Sequence, residues 1–432
     1  MRVLAAAFTV VALVAPLGAA AAPTSVVDLG GSRAYVRGDA VATLTGVDLF
    51  VRAGLDRETA DQNGLAALVA QAVLQTPVAP ATTTAPVALS DAVDACGASI
   101  GFTIAPGYVR FSLEGTPEAI AQAAPLAARA LAAPSFAGAT LDDARAALDA
   151  RIADEEDDVR FVGLQMLRGS YYRDGAGFPA YGNSGSLRTL TGTNAKAFFD
   201  AWYRRGDAFL TVVGRAAPAS VTAGGALVAA LPAGSAATPA VAARPFGAEP
   251  KRIVTHRDVS APYVAVGFAA PAIGDPDFAA TWVMRSILIG VFDRPAATTP
   301  LPLFRSAGSI YGYDTAPGHF VVWINGSRID PSTGLGAVIA VVKGTATKPL
   351  SDAVLTRYKE TARGEWALET LSLDERAGAI GSAVTLGLDP DAGDAVPAAI
   401  SAVTLADLQR VAKKYFQKFD VALVIPREAS GG

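Results

Sequence analysis

The chain has 432 residues, 51% of them hydrophobic and 18% charged, with 36 Lys and Arg against 40 Asp and Glu for a net charge of -4. That balance supplies no basic footprint and excludes nucleic acid as the expected partner. A single cysteine, Cys96, and two histidines, His256 and His319, allow no intramolecular disulfide and leave little material for a nitrogen or sulfur metal site.

Met1-Arg2, the apolar stretch Val3 to Leu17 and the small-residue run Gly18 to Ala22 have the three regions of a secretory signal peptide, so 1–22 is expected to be removed. The mature chain is then expected in the periplasm or outside the cell. No later run is long and apolar enough to span a bilayer. The remaining stretch of about 410 residues exceeds what one hydrophobic core serves, which predicts two domains.

The alternation Val47-Asp48-Leu49-Phe50-Val51-Arg52 predicts a strand, and a helix opens after Asn63-Gly64. Cys96, between Ala95 and Gly97, reads as a small buried hydrophobe. Phe102-Thr103-Ile104 and Val109 to Leu113 predict strands joined through Ala105-Pro106-Gly107, and Thr116-Pro117-Glu118 starts the next helix. The acidic run Asp154 to Asp158 lacks the glycine turn and alternating ligands of a calcium loop and reads as a solvated helix end.

A helical stretch from Thr191 through Trp202-Tyr203 leads to the strand Phe209 to Val212. Thr404 begins the same succession 213 residues later, passing Tyr415-Phe416 to the strand Val421 to Ile425, and the same interval separates Asp207 from Asp420. The chain therefore contains a duplication. Between the copies, 232–249 is rich in Pro, Ala and Gly and reads as a linker dividing 23–231 from 250–432. The second half restarts with the strand Tyr263 to Phe268 and a helix capped by Asp275 with Pro276 in its first turn. Strands that alternate with helices and also pair through short turns indicate an α+β class, each domain a mixed, mostly antiparallel sheet packed with helices.

Asn63 to Ala72, Ser90 to Ile100, Phe178-Pro179-Ala180-Tyr181-Gly182 and Ser186 to Thr191 follow one another in the order and spacing of a known family. They resemble the insulinase/pitrilysin-type metallopeptidases, in the small two-domain bacterial type that is similar to mitochondrial processing peptidase subunits. The likeness covers nearly all of the mature chain and implies two homologous domains in a clam-like half shell.

The resemblance lays the zinc motif H-x-x-E-H over Ala67-Leu68-Val69-Ala70-Gln71. Ala67 and Gln71 then stand at the histidine positions, Ala70 at the general base, and Arg151 at the third ligand. These side chains cannot together bind Zn²⁺ or activate a water, so no metal and no catalytic residue is expected in this chain. His256 and His319 read as structural or solvent-facing. Neither a G-x-S-x-G elbow nor a phosphate-binding glycine loop occurs.

Phe304-Arg305-Ser306-Ala307-Gly308-Ser309-Ile310-Tyr311 resembles a segment whose Arg and Tyr hold substrate near the metal, here with one residue fewer between them. Arg305 and Tyr311 are thereby implied as substrate-binding residues, since a cationic fork and a phenol can hydrogen-bond a peptide carbonyl. Phe292 to Pro300 is rich in Pro and Thr where the processing peptidase's non-catalytic subunit has glycine, so presequence handling does not transfer. The implied function is the non-catalytic subunit of an exported heterodimeric zinc metallopeptidase, with zinc held by a homologous partner bearing H-x-x-E-H and a peptide as substrate. Edge strands could bind that peptide by strand addition. The alternatives are a structural or scaffold protein without a peptidase partner, and a solitary peptide binder.

Overall fold

A computed structural model describes residues 22–79, 85–216, 218–236, 250–293, 306–326, 331–347 and 350–427. The expected signal peptide, apart from Ala22, and most of the expected linker lie outside these residues. The first half contributes β1 (Ser25–Asp28), β2 (Arg33–Gly38), β3 (Thr45–Val51), a detached ribbon of β4 (Pro77–Val78) and β5 (Val87–Ala88), then β6 (Ala98–Ile104), β7 (Val109–Gly115) and β8 (Ala208–Gly214). Its six-stranded sheet has the order β1-β2-β8-β3-β7-β6. The second half contributes β9 (Arg252–Arg257), β10 (Tyr263–Ala270), β11 (Ser306–Gly312), β12 (Gly318–Asn325) and β13 (Asp420–Pro426), in the order β11-β12-β10-β13-β9.

Each sheet is antiparallel except for one parallel pair, β2 with β8 and β9 with β13. The duplication reaches local detail. The helices Gly192–Trp202 and Leu405–Tyr415 lead into the closing strands β8 and β13, and each opens on a capping box, Thr191 with Asn194 and Thr404 with Asp407. Reciprocal side-chain bonds there satisfy amides that the first helical turn leaves without partners.

All seven residues of β3 and all seven of β8 are buried, which requires cover on both faces of the sheet. One face receives helices of its own half, among them Leu65–Gln75, Pro117–Ala132 and Pro218–Ala230. The other receives Leu373–Thr385 from the second half, whose Ala377 and Ile380 pack with Tyr35, Phe50, Tyr108 and Phe209. The exchange is reciprocal, because Val159–Tyr171 of the first half lies on the second sheet, with Leu167 and Tyr171 against Tyr263, Ala265, Val321 and Val424. A buried leucine such as Leu167 contributes about 1.5–3 kcal/mol. The halves therefore keep their strands and main cores apart but exchange one covering helix each.

The start of the linker is held in place: Arg205 and Gly206 donate their amides to the carbonyls of Pro232 and Gly234, each at 2.9 Å. Cys96 is half-buried, and its Sγ donates to the Ala92 carbonyl at 3.3 Å. No helix among the described residues is long and apolar enough to cross a membrane.

Candidate functional site

The entrance to the helix Leu65–Gln75 depends on two glycines in the left-handed region, Gly64 at φ +99 and Gly182 at φ +76. A Cβ on Gly64 would meet the Tyr181 carbonyl oxygen at 3.0 Å and Gly182 Cα at 3.1 Å. Without it, the segment Phe178 to Gly182 lies across the helix start and fixes Tyr181 there. Beneath, the buried Glu58 carboxylate accepts from the amides of Gly64 at 3.1 Å and Ala66 at 2.7 Å and from Asn63 Nδ2 at 2.9 Å. An acid suits the positive end of a helix. Burial pushes its pKa up to about 7, against the pull of those donors. Sequence reasoning missed Glu58: an acid six residues ahead of a helix glycine carries no local sign that its side chain turns back.

Ala67 and Ala70 are fully buried in the first core, where Leu141, Ala144, Leu148 and Ile152 of the helix Gly138–Asp157 also lie, and Gln71 is half-buried. Arg151 stands on the exposed side of that second helix with its guanidinium 4.0 Å from the centre of the Tyr181 ring. Tyr181 is 6% exposed and meets Phe102 of β6 edge-on, with ring centres 6.2 Å apart. One turn beyond Arg151, burial raises the pKa of the half-buried Glu155 while Arg151 and Arg168 pull it down.

Two methyl groups, a carboxamide and a guanidinium do not fit Zn²⁺: the first cannot coordinate, and a fixed cation repels a second one. Among the described residues no group of three or more His, Cys, Asp or Glu side chains converges as a potential metal site. His256 is exposed on β9, whereas His319 on β12 is buried. Burial, aided by Arg168, pushes the pKa of His319 down to about 3. The Tyr172 hydroxyl donates to the Pro317 carbonyl at 2.7 Å and lies 3.2 Å from His319 Nδ1. The acidic run ends one helix and starts another, Asp158 accepting from the Arg160 amide at 2.8 Å.

Arg305 lies outside the described residues, as do 294–300 of the Pro- and Thr-rich loop. Tyr311 is 8% exposed, with its ring among Phe278, Trp282, Tyr313 and Phe320. Its hydroxyl donates to the Pro271 carbonyl at 2.7 Å, and burial holds its pKa well above the ordinary phenol value. Pro271 lines a groove of about 350 Å³ together with Ile273, Asp275, Leu386, Leu388 and Tyr415. Tyr311 thus buttresses the wall of this groove from inside the core.

No family model matches the chain, and no curated protein matches it. Solved structures do. A protease from Helicobacter pylori aligns over 94% of this chain and 100% of its own length at 15% identity, with a TM-score of 0.82. The peptidase M16 inactive domain from Pseudomonas fluorescens aligns over 94% and 99% at 17% identity, with a TM-score of 0.78. The chain has the M16-like, insulinase-type peptidase fold. A chain of complex III2 from Candida albicans is also similar, over 94% of this chain and 96% of its own, at 14% identity and a TM-score of 0.72.

Within this M16-like fold, structure brings together residues that the sequence keeps far apart. Arg151, Tyr181 and Phe102 form one line of contacts from the helix Gly138–Asp157 to β6, which closes one edge of the first sheet. Gly64 was legible at the helix start and Gly182 as part of the segment that carries the resemblance, but their mutual contact was not.

Proposed function

We propose that this chain is a non-catalytic M16-like protein, the substrate-binding subunit of an exported two-chain zinc metallopeptidase whose homologous partner supplies H-x-x-E-H and the zinc. The observation that carries this reading is that every metal-site position holds a side chain built into other packing. Ala67 and Ala70 are core methyls, Gln71 is half-buried and Arg151 is stacked on Tyr181. A complete fold without its metal chemistry suits a role resting on binding surface, which sheet edges such as β6 and β11 supply through main-chain groups. In this proposal Arg305 touches the peptide directly and Tyr311 acts through the Pro271 wall.

The test is zinc analysis and peptide hydrolysis on the mature chain alone and mixed with an exported zinc-motif homologue from the same genome. The expected result is no stoichiometric zinc and no hydrolysis alone, activity in the mixture, and less activity with Arg305→Ala. Stoichiometric zinc with hydrolysis by the lone chain would overturn the proposal. Absence of both a complex and a gain in activity would favour a structural subunit without a peptidase partner, a reading supported by the likeness to a chain of complex III2.

A further inference from the structure

The residue at the third ligand position has an arrangement of its own. Arg151 makes no hydrogen bond or ion pair among the described residues, so its five N–H donors are available on the exposed side of its helix. Its plane is nevertheless held, because the guanidinium stacks on Tyr181, and Tyr181 is clamped by Phe102 and by the glycines at the helix entrance. A stacked guanidinium loses less freedom on binding than a loose one and presents a fork matched to a carboxylate.

Two successive ring contacts, 4.0 Å and 6.2 Å, lead from this cation to Phe102 on β6. An extended peptide covers that span in about three residues. As the edge of its sheet, β6 has main-chain groups along one side that no strand pairs among the described residues. Arg151 and Arg168 both attract Glu155, one member of the acidic run Asp154 to Asp158.

We propose that Arg151 and the edge of β6 together form a binding site for the carboxylate of an extended peptide, the main chain pairing with β6 and the carboxylate taking the Arg151 fork. This deepens the peptide-binding reading above and rests on it. The carboxylate could belong to the peptide's C-terminus or to an acidic side chain.

The probes are fluorescent heptapeptides of alternating Val and Thr: one with a free C-terminal carboxylate, one amidated, one amidated with a single internal Glu, and a free acid N-methylated at alternate amides. Binding is measured on the mature wild-type chain and on Arg151→Gln and Arg151→Lys, with thermal melting as the check that each variant folds. The wild type is expected to bind the free acid or the Glu peptide roughly tenfold or more tightly than the plain amide, and which of the two gains identifies the source of the carboxylate. Arg151→Gln is expected to abolish the gain at unchanged melting temperature, Arg151→Lys to keep part of it, and N-methylation to weaken binding to every variant. Peptides that bind the wild type with no preference for a carboxylate, a preference that survives in Arg151→Gln, or tolerance of N-methylation would overturn the site while leaving the peptide-binding reading intact. Failure of every peptide to bind the wild type would refute that reading and this site with it.

Discussion

Replacing Gly267 by alanine tests whether the two halves interlock as described. Gly267 lies within β10, opposite Val321 on one side and Asp420 on the other. A Cβ there would fall 1.5 Å from Tyr171 Oη and 3.2 Å from Leu167 Cδ1, both on the helix that crosses from the first half. Ordinary contact needs about 2 Å more at the phenol. Tyr171 is 2% exposed and cannot swing into solvent, so the crossing helix has to lift or the strand has to shift. Overpacking of this kind costs about 1–3 kcal/mol, and a clash this deep belongs at the upper end. Urea unfolding of Gly267→Ala, Tyr171→Ala and the double variant forms a thermodynamic cycle. Tyr171→Ala alone is expected to cost about 3–5 kcal/mol, as for other large buried aromatics. Adding Gly267→Ala to it should then cost almost nothing, giving a coupling of about 2–3 kcal/mol. Strict additivity of the two single costs would refute the interlock.

Arg110→Met should destabilise by about 3–5 kcal/mol at pH 8, because it strips the cation 3.5 Å from the buried Asp48. Burial already pushes the Asp48 pKa up to about 7, above its unfolded value of 3.8, so its contribution is present at low pH and lost as pH rises; the cost should shrink at pH 5 in paired urea titrations. His319 has the opposite sign: with a folded pKa of about 3 against 6.5 unfolded, its contribution is full above 6.5 and falls as pH is lowered. His319→Gln should therefore remove a loss of about 2 kcal/mol at pH 5, seen as a flatter stability profile between pH 7 and 5. Thr404→Ala removes the acceptor for the Asp407 amide, 3.2 Å away, and should cost about 0.5–2 kcal/mol by thermal melting, with Thr404→Ser restoring most of it.

The sequence by itself determined the elements and their repetition. Capping residues, strand alternation and the interval from Thr191 to Thr404 are local or periodic signals, and they set the helices and closing strands of both halves. The residues at the positions that the resemblance assigns to the metal were equally legible: Ala67, Ala70, Gln71 and Arg151 stand where the family has two histidines, a general base and a third ligand. Tertiary structure alone decided what covers what. Periodicity shows that a face is apolar and carries no address for the group that buries it, so the exchange of Val159–Tyr171 and Leu373–Thr385 between sheets could not be read along the chain. Asp48, a charged residue in the strand alternation, is buried beside Arg110 of β7. Tyr311 looked like a residue for substrate, and its hydroxyl is engaged by the Pro271 carbonyl within the second core. Arg151 takes its orientation from Tyr181, thirty residues further along, because a stacking partner is chosen by distance in space and sequence separation says nothing about it.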